Sequence, residues 1–273
     1  VGNVQFFAPD YDNQHDFQTN VDYNVGKHQL RGRFLYDRFR APNLNPSLPL
    51  PEFTGATYRD ARKVAFTDIW AVTSRLANDF RLSYSRNNQG WSIPDAFSNF
   101  PNAKIDELGL NIGPEDNSPQ GGTQNTYQVL DNLSYIIGSH QFKFGVEYRN
   151  TISPSDFLPR ARGEWDYATL SEFINDLVPA GSNGALRGAG LSVFAGNQQS
   201  LYWFVQDDIK ITRNLTLNLG LRYEYTTNPR DADTQELNSI ASLPGVFDFR
   251  KPKTDTNNFG PRFGFAYSPD FSG

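Results

Sequence analysis

Ser200-Leu-Tyr-Trp-Phe-Val-Gln-Asp-Asp-Ile-Lys-Ile-Thr-Arg-Asn-Leu-Thr-Leu-Asn-Leu-Gly-Leu-Arg-Tyr-Glu224 is the stretch that decides the fold. In its second half Leu215, Leu217, Leu219, Leu221 and Tyr223, continued by Tyr225, alternate with Thr216, Asn218, Gly220, Arg222 and Glu224. A period of two is a strand with one apolar and one polar face. One register therefore sends Leu217, Leu219 and Leu221 one way and Asn218, Gly220 and Arg222 the other. Leu201, Trp203, Val205, Ile209 and Ile211 form the preceding row, and Thr212-Arg213-Asn214 is a tight connection between the two. The segment reads as a hairpin.

The same pattern recurs outward from it. Seven further rows bring the total to nine: Phe17 to Val25, Leu30 to Tyr36, Val64 to Val72, Phe80 to Tyr84, Tyr127 to Ile137, Phe142 to Tyr148, and Phe259 to Tyr267. The gaps alternate in length. Gly26-Lys27, Ser74 to Asn78, Gly138-Ser139-His140 and Thr212 to Asn214 are short; Arg40 to Arg62, Asn87 to Asn125, Asn150 to Gln199 and Thr226 to Asn258 are long. Short turns on one rim and long loops on the other describe a transmembrane β-barrel, whose periplasmic turns are tight and extracellular loops long. Strands of about 10 residues match its apolar band. Gly26-Lys27-His28-Gln29-Leu30-Arg31 also parallels Gly138-Ser139-His140-Gln141-Phe142-Lys143.

Composition agrees. The chain has 273 residues, a net charge of −5 and an aromatic share of 14%, at a mean hydropathy of −0.58. Aromatics in so hydrophilic a chain need a core or a lipid-facing wall to receive them. The absence of Cys excludes disulfide scaffolds, thiolate metal sites and thiol nucleophiles. The mild acidity speaks against nucleic-acid binding. No apolar run approaches the roughly 20 residues of a membrane helix. Val1-Gly2-Asn3-Val4 carries no signal-peptide features and no initiator Met, so the chain is expected to be a piece of a larger or processed one. A soluble β-sandwich also alternates. Its connections would not sort so cleanly by length, however, and its outer face would be richer in Lys and Glu.

The hairpin at Ser200 to Glu224 resembles those of TonB-dependent outer-membrane receptors: an aromatic strand, Gln206-Asp207-Asp208, then Leu219-Gly220-Leu221-Arg222-Tyr223-Glu224. Asn257 to Tyr267 is similar to the strand that follows in that family, and His140 to Arg149 to an earlier one. Ala168 to Leu177, and Phe7-Ala8-Pro9-Asp10-Tyr11-Asp12-Asn13, resemble the Oar-like branch. The likeness runs from about residue 5 to 270. It implies a barrel of probably 22 strands around an N-terminal plug, in the outer membrane of a Gram-negative cell. The plug, the TonB box and the closing strand are not in these residues, and Asp270-Phe271-Ser272-Gly273 reads as a further turn. Nine strands leave two open edges, whereas single-chain bacterial barrels have even counts, so residues 1–273 are expected to be an interior part of a barrel wall. The implied partners are outer-membrane lipid and lipopolysaccharide, the TonB system through the plug, and an unidentified solute.

Little here suggests catalysis. His15, His28 and His140 are not spaced as a metal pair, and His28 and His140 hold matching turn positions. No nucleophile elbow, phosphate loop or EF-hand spacing occurs. Asp106-Glu107, Glu115-Asp116 and Asp231-Ala232-Asp233 read as solvated loop charge. Neither an enzyme nor a cofactor is expected. The polar rows carry the informative chemistry: Arg31, Arg33, Arg81, Lys143, Glu147, Arg149, Arg222, Glu224 and Arg262 are candidates to face the lumen. Most are expected to make cross-strand ion pairs or plug contacts, and a few to line a solute path.

Asp68, Asp131 and Asp207 interrupt apolar rows, and either a β-bulge or a partner on the next strand must deal with each. In the longest loop, Thr169 or Ser171 as N-cap, with Leu170, Phe173, Ile174 and Leu177 at helical spacing, predicts a helix from Leu170 to about Val178. Its apolar stripe should fold onto neighbouring loops or the barrel mouth, making it a candidate lid. Three functions fit: energised solute uptake through an outer-membrane receptor, a structural or adhesive surface protein without transport, and a soluble sugar-binding sandwich.

Overall fold

The structure is a computed structural model that describes residues 7–43, 50–233 and 252–269; the turn expected at residues 270–273 lies outside them. The main strands are β1 (Asn13–Val25), β2 (His28–Asn43), β3 (Gly55–Ala71) and β4 (Leu76–Trp91). After two short loop strands, β5 (Asn102–Ile105) and β6 (Leu110–Ile112), come β7 (Gln120–Ile137) and β8 (His140–Ile152). The long loop that follows holds β9 (Pro154–Asp156), β10 (Glu164–Tyr167), α1 (Leu170–Ile174), β11 (Ala185–Leu186) and β12 (Val193–Ala195). Then come β13 (Gln198–Lys210), β14 (Leu215–Thr226) and β15 (Phe259–Tyr267).

Nine strands form one antiparallel wall in the order β1-β2-β3-β4-β7-β8-β13-β14-β15. Each pairs with its neighbours in the chain, so the direction of travel reverses at every step. All the short turns consequently share one rim and all the long loops the other. Two of the turns rest on glycine. Gly26 has φ +57° and Gly138 φ +60°, the conformation a two-residue hairpin of the II′ type requires at its first central position.

The strand registers run without a break, and they sort the side chains. Tyr23↔Leu30, Phe34↔Val64, Leu82↔Val129, Leu133↔Phe144, Val205↔Leu221 and Leu219↔Phe263 are directly opposite pairs, so every apolar row falls on the same face. Leu217, Leu219 and Leu221 lie on it; Asn218, Gly220 and Arg222 lie on the other. The large apolar side chains of this face stay exposed, Val64 at 49%, Leu82 at 48% and Val146 at 47%. Among the described residues only Ala41, Ile105 and Tyr167 are buried hydrophobics. An apolar surface this broad needs a lipid or a partner to cover it.

The strands are longer than the expected ten or so residues. β2 and β4 have 16, β3 has 17 and β7 has 18, a reach of roughly 55 Å along the strand. The extra length lies on the long-loop side, where Asn87, Asn88, Gln89, Gly121 and Gly122 continue the ladder although they carry no apolar signal.

Above that rim two long loops build a second sheet, ordered β11-β10-β5-β6. β5 and β10 pair in parallel, Glu164 opposite Asn102 and Asp166 opposite Lys104. The helix α1 is shorter than its apolar spacing predicts. It ends at Ile174 because Asn175 leaves helical geometry and Asp176 adopts φ +49°, so Leu177 lies beyond it. Phe173 packs edge-on against Tyr167 at 5.3 Å, whereas Ile174 and Leu177 remain 68% and 53% exposed. The expected folding-down of the whole stripe is thus limited to Phe173.

Candidate functional site

The polar face of the wall brings together all nine charged residues singled out from the sequence. Its ladder runs strand by strand. Arg31 donates to Asp22 directly across β1 and β2 at 2.5 Å, and Arg33 to Asn20 at 2.8 Å. Arg81 holds Asp79 at 2.6 Å on its own strand, and Lys143 reaches Asp208 diagonally on β13 at 3.1 Å. Arg149 pairs with Glu147 at 2.7 Å, and Arg222 with Glu224. Arg262 makes no hydrogen bond or ion pair with another described residue; it borders an open hollow of about 520 Å³ shared with Arg222 and Glu224. Exposed pairs of this kind each contribute about 0–1 kcal/mol. They order the charged side chains more than they stabilise the wall.

Two aromatics on the same face had no place in the sequence reading. Tyr202 and Phe204 project to the polar side while Leu201, Trp203 and Val205 project to the apolar side. The run of consecutive aromatics in β13 was the visible signal, since a strand apolar at every position has no wholly polar face. Tyr202 lies between two guanidiniums, with Arg149 and Arg222 each 5.9 Å from its ring centre, within cation–π range. Phe204 occupies space that Gly145 leaves open: a Cβ at Gly145 would stand 2.1 Å from the Phe204 ring. Glu147, Asn132, Gly145, Tyr202, Phe204 and Arg222 enclose a hollow of about 150 Å³. Two aromatic rings, the Arg222 guanidinium, the Glu147 carboxylate and the Asn132 amide thus meet at one place on the polar face.

The three aspartates in apolar rows resolve alike. With no bulge in the register, Asp68, Asp131 and Asp207 all remain on the apolar face. A side chain from the neighbouring strand meets each one diagonally. His28 Nδ1 lies 2.9 Å from Asp68, Asn78 donates to Asp131 at 2.5 Å, and His140 Nδ1 lies 2.7 Å from Asp207. His28 also stacks on Trp70 at 5.2 Å, and His140 on Phe142 at 5.5 Å. The matching turn sequences thus mark two copies of one local device. His15 is not part of it.

Of the loop acids, Asp106 and Glu107 are exposed and Glu115, Asp116 and Asp231 half-buried, and these five take part in hydrogen bonds or ion pairs that fasten the loops. Asp106 accepts from the Ser182 amide at 2.9 Å, and Glu107 from the Leu170 amide at 2.8 Å, capping α1 together with Thr169. Asp231 accepts from the Ala195 amide at 2.6 Å. Glu164, wholly buried, takes Lys104 and Arg160. Lys104 also holds Asp116 at 3.1 Å. Burial opposes charge on Asp116, but hydrogen bonds with Glu115 and Lys104 outweigh it and bring its pKa down to about 2. Burial, reinforced by Asp116, pushes Glu115 up. Phe53, Phe97 and Phe100 cluster with ring centres 4.8–5.9 Å apart and tie the loop after β2 to the loop after β4. No group of three or more metal-binding side chains occurs among the described residues.

The sequence matches, over residues 1–273, the family described as outer membrane β-barrel domain. No curated protein matches it. Among solved structures the chain is similar to the outer membrane transporter YddB from Escherichia coli, with a TM-score of 0.57 and 10% identity over 92% of this chain and 29% of that one. It is also similar to the ferric-catecholate import receptor Fiu from Escherichia coli K12. The closed form gives a TM-score of 0.51 and 13% identity over 94% of this chain and 40% of that one. The open form gives 0.50 and 12% over 94% and 43%. The chain therefore spans less than half the length of these transporters, and at such identities the likeness is one of fold.

Proposed function

Since the chain belongs to the outer membrane β-barrel domain family, and so to an outer membrane, we propose that it is part of the wall of a TonB-dependent receptor of the Oar-like branch in a Gram-negative cell, serving energised uptake of a scarce solute. The observation that carries this reading is the asymmetry of the wall. One face is broadly apolar and fit for lipid, with Asp68, Asp131 and Asp207 each met by a side chain of the next strand. The other is a charged ladder that converges on Tyr202, held between Arg149 and Arg222. Facing a lumen, such a ladder would contact a plug over most of its area and a passing solute at a few positions. The interlocked loops favour selective capture at the outer rim over an open pore.

The alternative is a surface protein whose loops bind a partner and pass nothing. Accumulation measurements separate the two. The full-length protein, expressed in cells lacking their own receptors, should support accumulation of a scarce solute that disappears when TonB is deleted. Binding at the cell surface without accumulation would favour the adhesive reading. Accumulation that persists without TonB would overturn the energised mechanism.

A further inference from the structure

On β2, β3 and β4 the apolar face changes character abruptly. The row Phe34–Val64–Tyr84 is apolar; the next row towards the long loops is Tyr36–Arg62–Arg86, followed by Arg38–Asp60–Asn88 and Arg40–Tyr58–Gly90. All of these belong to the outer, lipid-side face by register. In an acidic chain this places four guanidiniums against one carboxylate on a small patch of outer wall. Asp60 is already engaged, 2.6 Å from Arg40 and 3.9 Å from Arg38. Arg62 and Arg86 stand directly opposite each other across β3 and β4. Like charges in that relation are destabilising, and among the described residues neither has a carboxylate partner. Arg62 lies over the Tyr36 ring at 5.8 Å, and Arg86 donates to Asn125 at 3.1 Å. The patch lines an open hollow of about 620 Å³.

We propose that this patch, centred on Arg62 and Arg86 with Arg38 and Arg40 beside them, binds the phosphorylated head group of a lipopolysaccharide-class glycolipid from the outer leaflet. Three features select that occupant. The patch is on the long-loop side of the apolar surface, which is the extracellular side in barrels of this kind. It adjoins an apolar row, so a ligand with anionic groups above acyl chains meets both surfaces at once. Its cations are all Arg, whose planar forks take phosphate oxygens two at a time. A bound phosphate between Arg62 and Arg86 would turn their repulsion into a shared attraction. The inference rests on the wall standing in the outer membrane and is independent of whether a solute passes.

The test uses the full-length protein in neutral detergent and bisphosphorylated hexa-acyl lipid A in mixed micelles, with retention read by native mass spectrometry. The Arg62→Gln/Arg86→Gln double variant should weaken retention at least tenfold. Lys63→Gln, the neighbouring residue on the opposite face, should change it less than twofold. Lipid A stripped of its phosphates should bind the unmodified protein at least tenfold more weakly, and millimolar inorganic phosphate should not displace the intact lipid. Unchanged retention by the double Gln variant would overturn the proposal. So would equal binding of the dephosphorylated lipid, which would indicate general lipid contact only, and so would full displacement by phosphate, which would indicate a free-anion site. If the Gln variant fails to fold, the phosphate dependence measured on the unmodified protein decides alone.

Discussion

At Leu219 the residue scale overrides a general rule. A basic residue introduced at mid-band on the lipid side of a barrel costs about 2–4 kcal/mol, and Leu219 is central in its row. Asp207 nevertheless stands directly opposite it, with one carboxylate oxygen buried and lacking a hydrogen-bond partner. An Arg at 219 would find a counter-charge there, whereas an Arg at 221 would face Val205 and Pro261. Leu221→Arg is therefore expected to cost the full 2–4 kcal/mol and Leu219→Arg clearly less, as measured by denaturant titration of the full-length protein in lipid vesicles; the reverse order would contradict the register. The aspartate devices give a second prediction. Removing His28 leaves Asp68 on an apolar surface without its partner, so His28→Leu should destabilise by about 1–3 kcal/mol. Asp68→Leu added to it should recover most of that loss. A double-mutant cycle without such coupling would mean that the pair is incidental. The rows themselves were readable because a period of two survives single interruptions. The partners of the aspartates were half readable, as two histidines at matching turn positions; Asn78 carried no signal, because a lone Asn beside a turn is ordinary.

Elements differ in how openly the chain announces them. The wall strands were visible wherever lipid demands apolar residues and invisible where they rise beyond it, since Asn87 to Trp91 and Gln120 to Gln124 satisfy a backbone ladder without any side-chain pattern. The loop sheet was invisible altogether. Asn102-Ala-Lys-Ile105 and Glu164-Trp-Asp-Tyr167 are too short to show a period, and their pairing joins segments about 60 residues apart in parallel. What fastens that sheet is charge, and charge responds to acid. An acid whose pKa falls on folding contributes stability above its unfolded value and loses it as pH drops through the folded one. For Asp116 the window runs from 3.8 down to about 2, a contribution of roughly 2 kcal/mol. The raised Glu115 works in the opposite sense and offsets part of it. Hydrogen exchange in segments 102–118 and 160–187 should therefore quicken between pH 4 and 2 while β3, β4 and β7 stay protected. Asp116→Asn should show the faster exchange already at neutral pH. Equal protection at both pH values would remove the Lys104–Asp116–Glu164 cluster as the fastening.

For the molecule as a whole, the lack of any Cys makes orientation directly measurable. Single cysteines at Val178 and Leu191, which are 86% and 94% exposed above the long-loop rim, should react with a membrane-impermeant maleimide on intact cells. Cysteines at Lys27, Ser139 and Arg213 should react only after the outer membrane is opened. Labelling of both groups on intact cells would invert or abolish the proposed orientation. The pairing scheme has a further consequence, for the order of assembly. Every wall strand pairs with a chain neighbour, so the wall can grow hairpin by hairpin, closing short turns within each hairpin and the longer loops only between hairpins already formed. The β5–β10 pairing is different: on a free chain it would have to close a loop of about 60 residues for the return of a few hydrogen bonds. Once β4, β7, β8 and β13 are side by side, both loops are anchored at their feet, and most of that entropy has already been given up. The outer cap is thus conditional on the wall, and it would be the last part to acquire structure and the first to lose it.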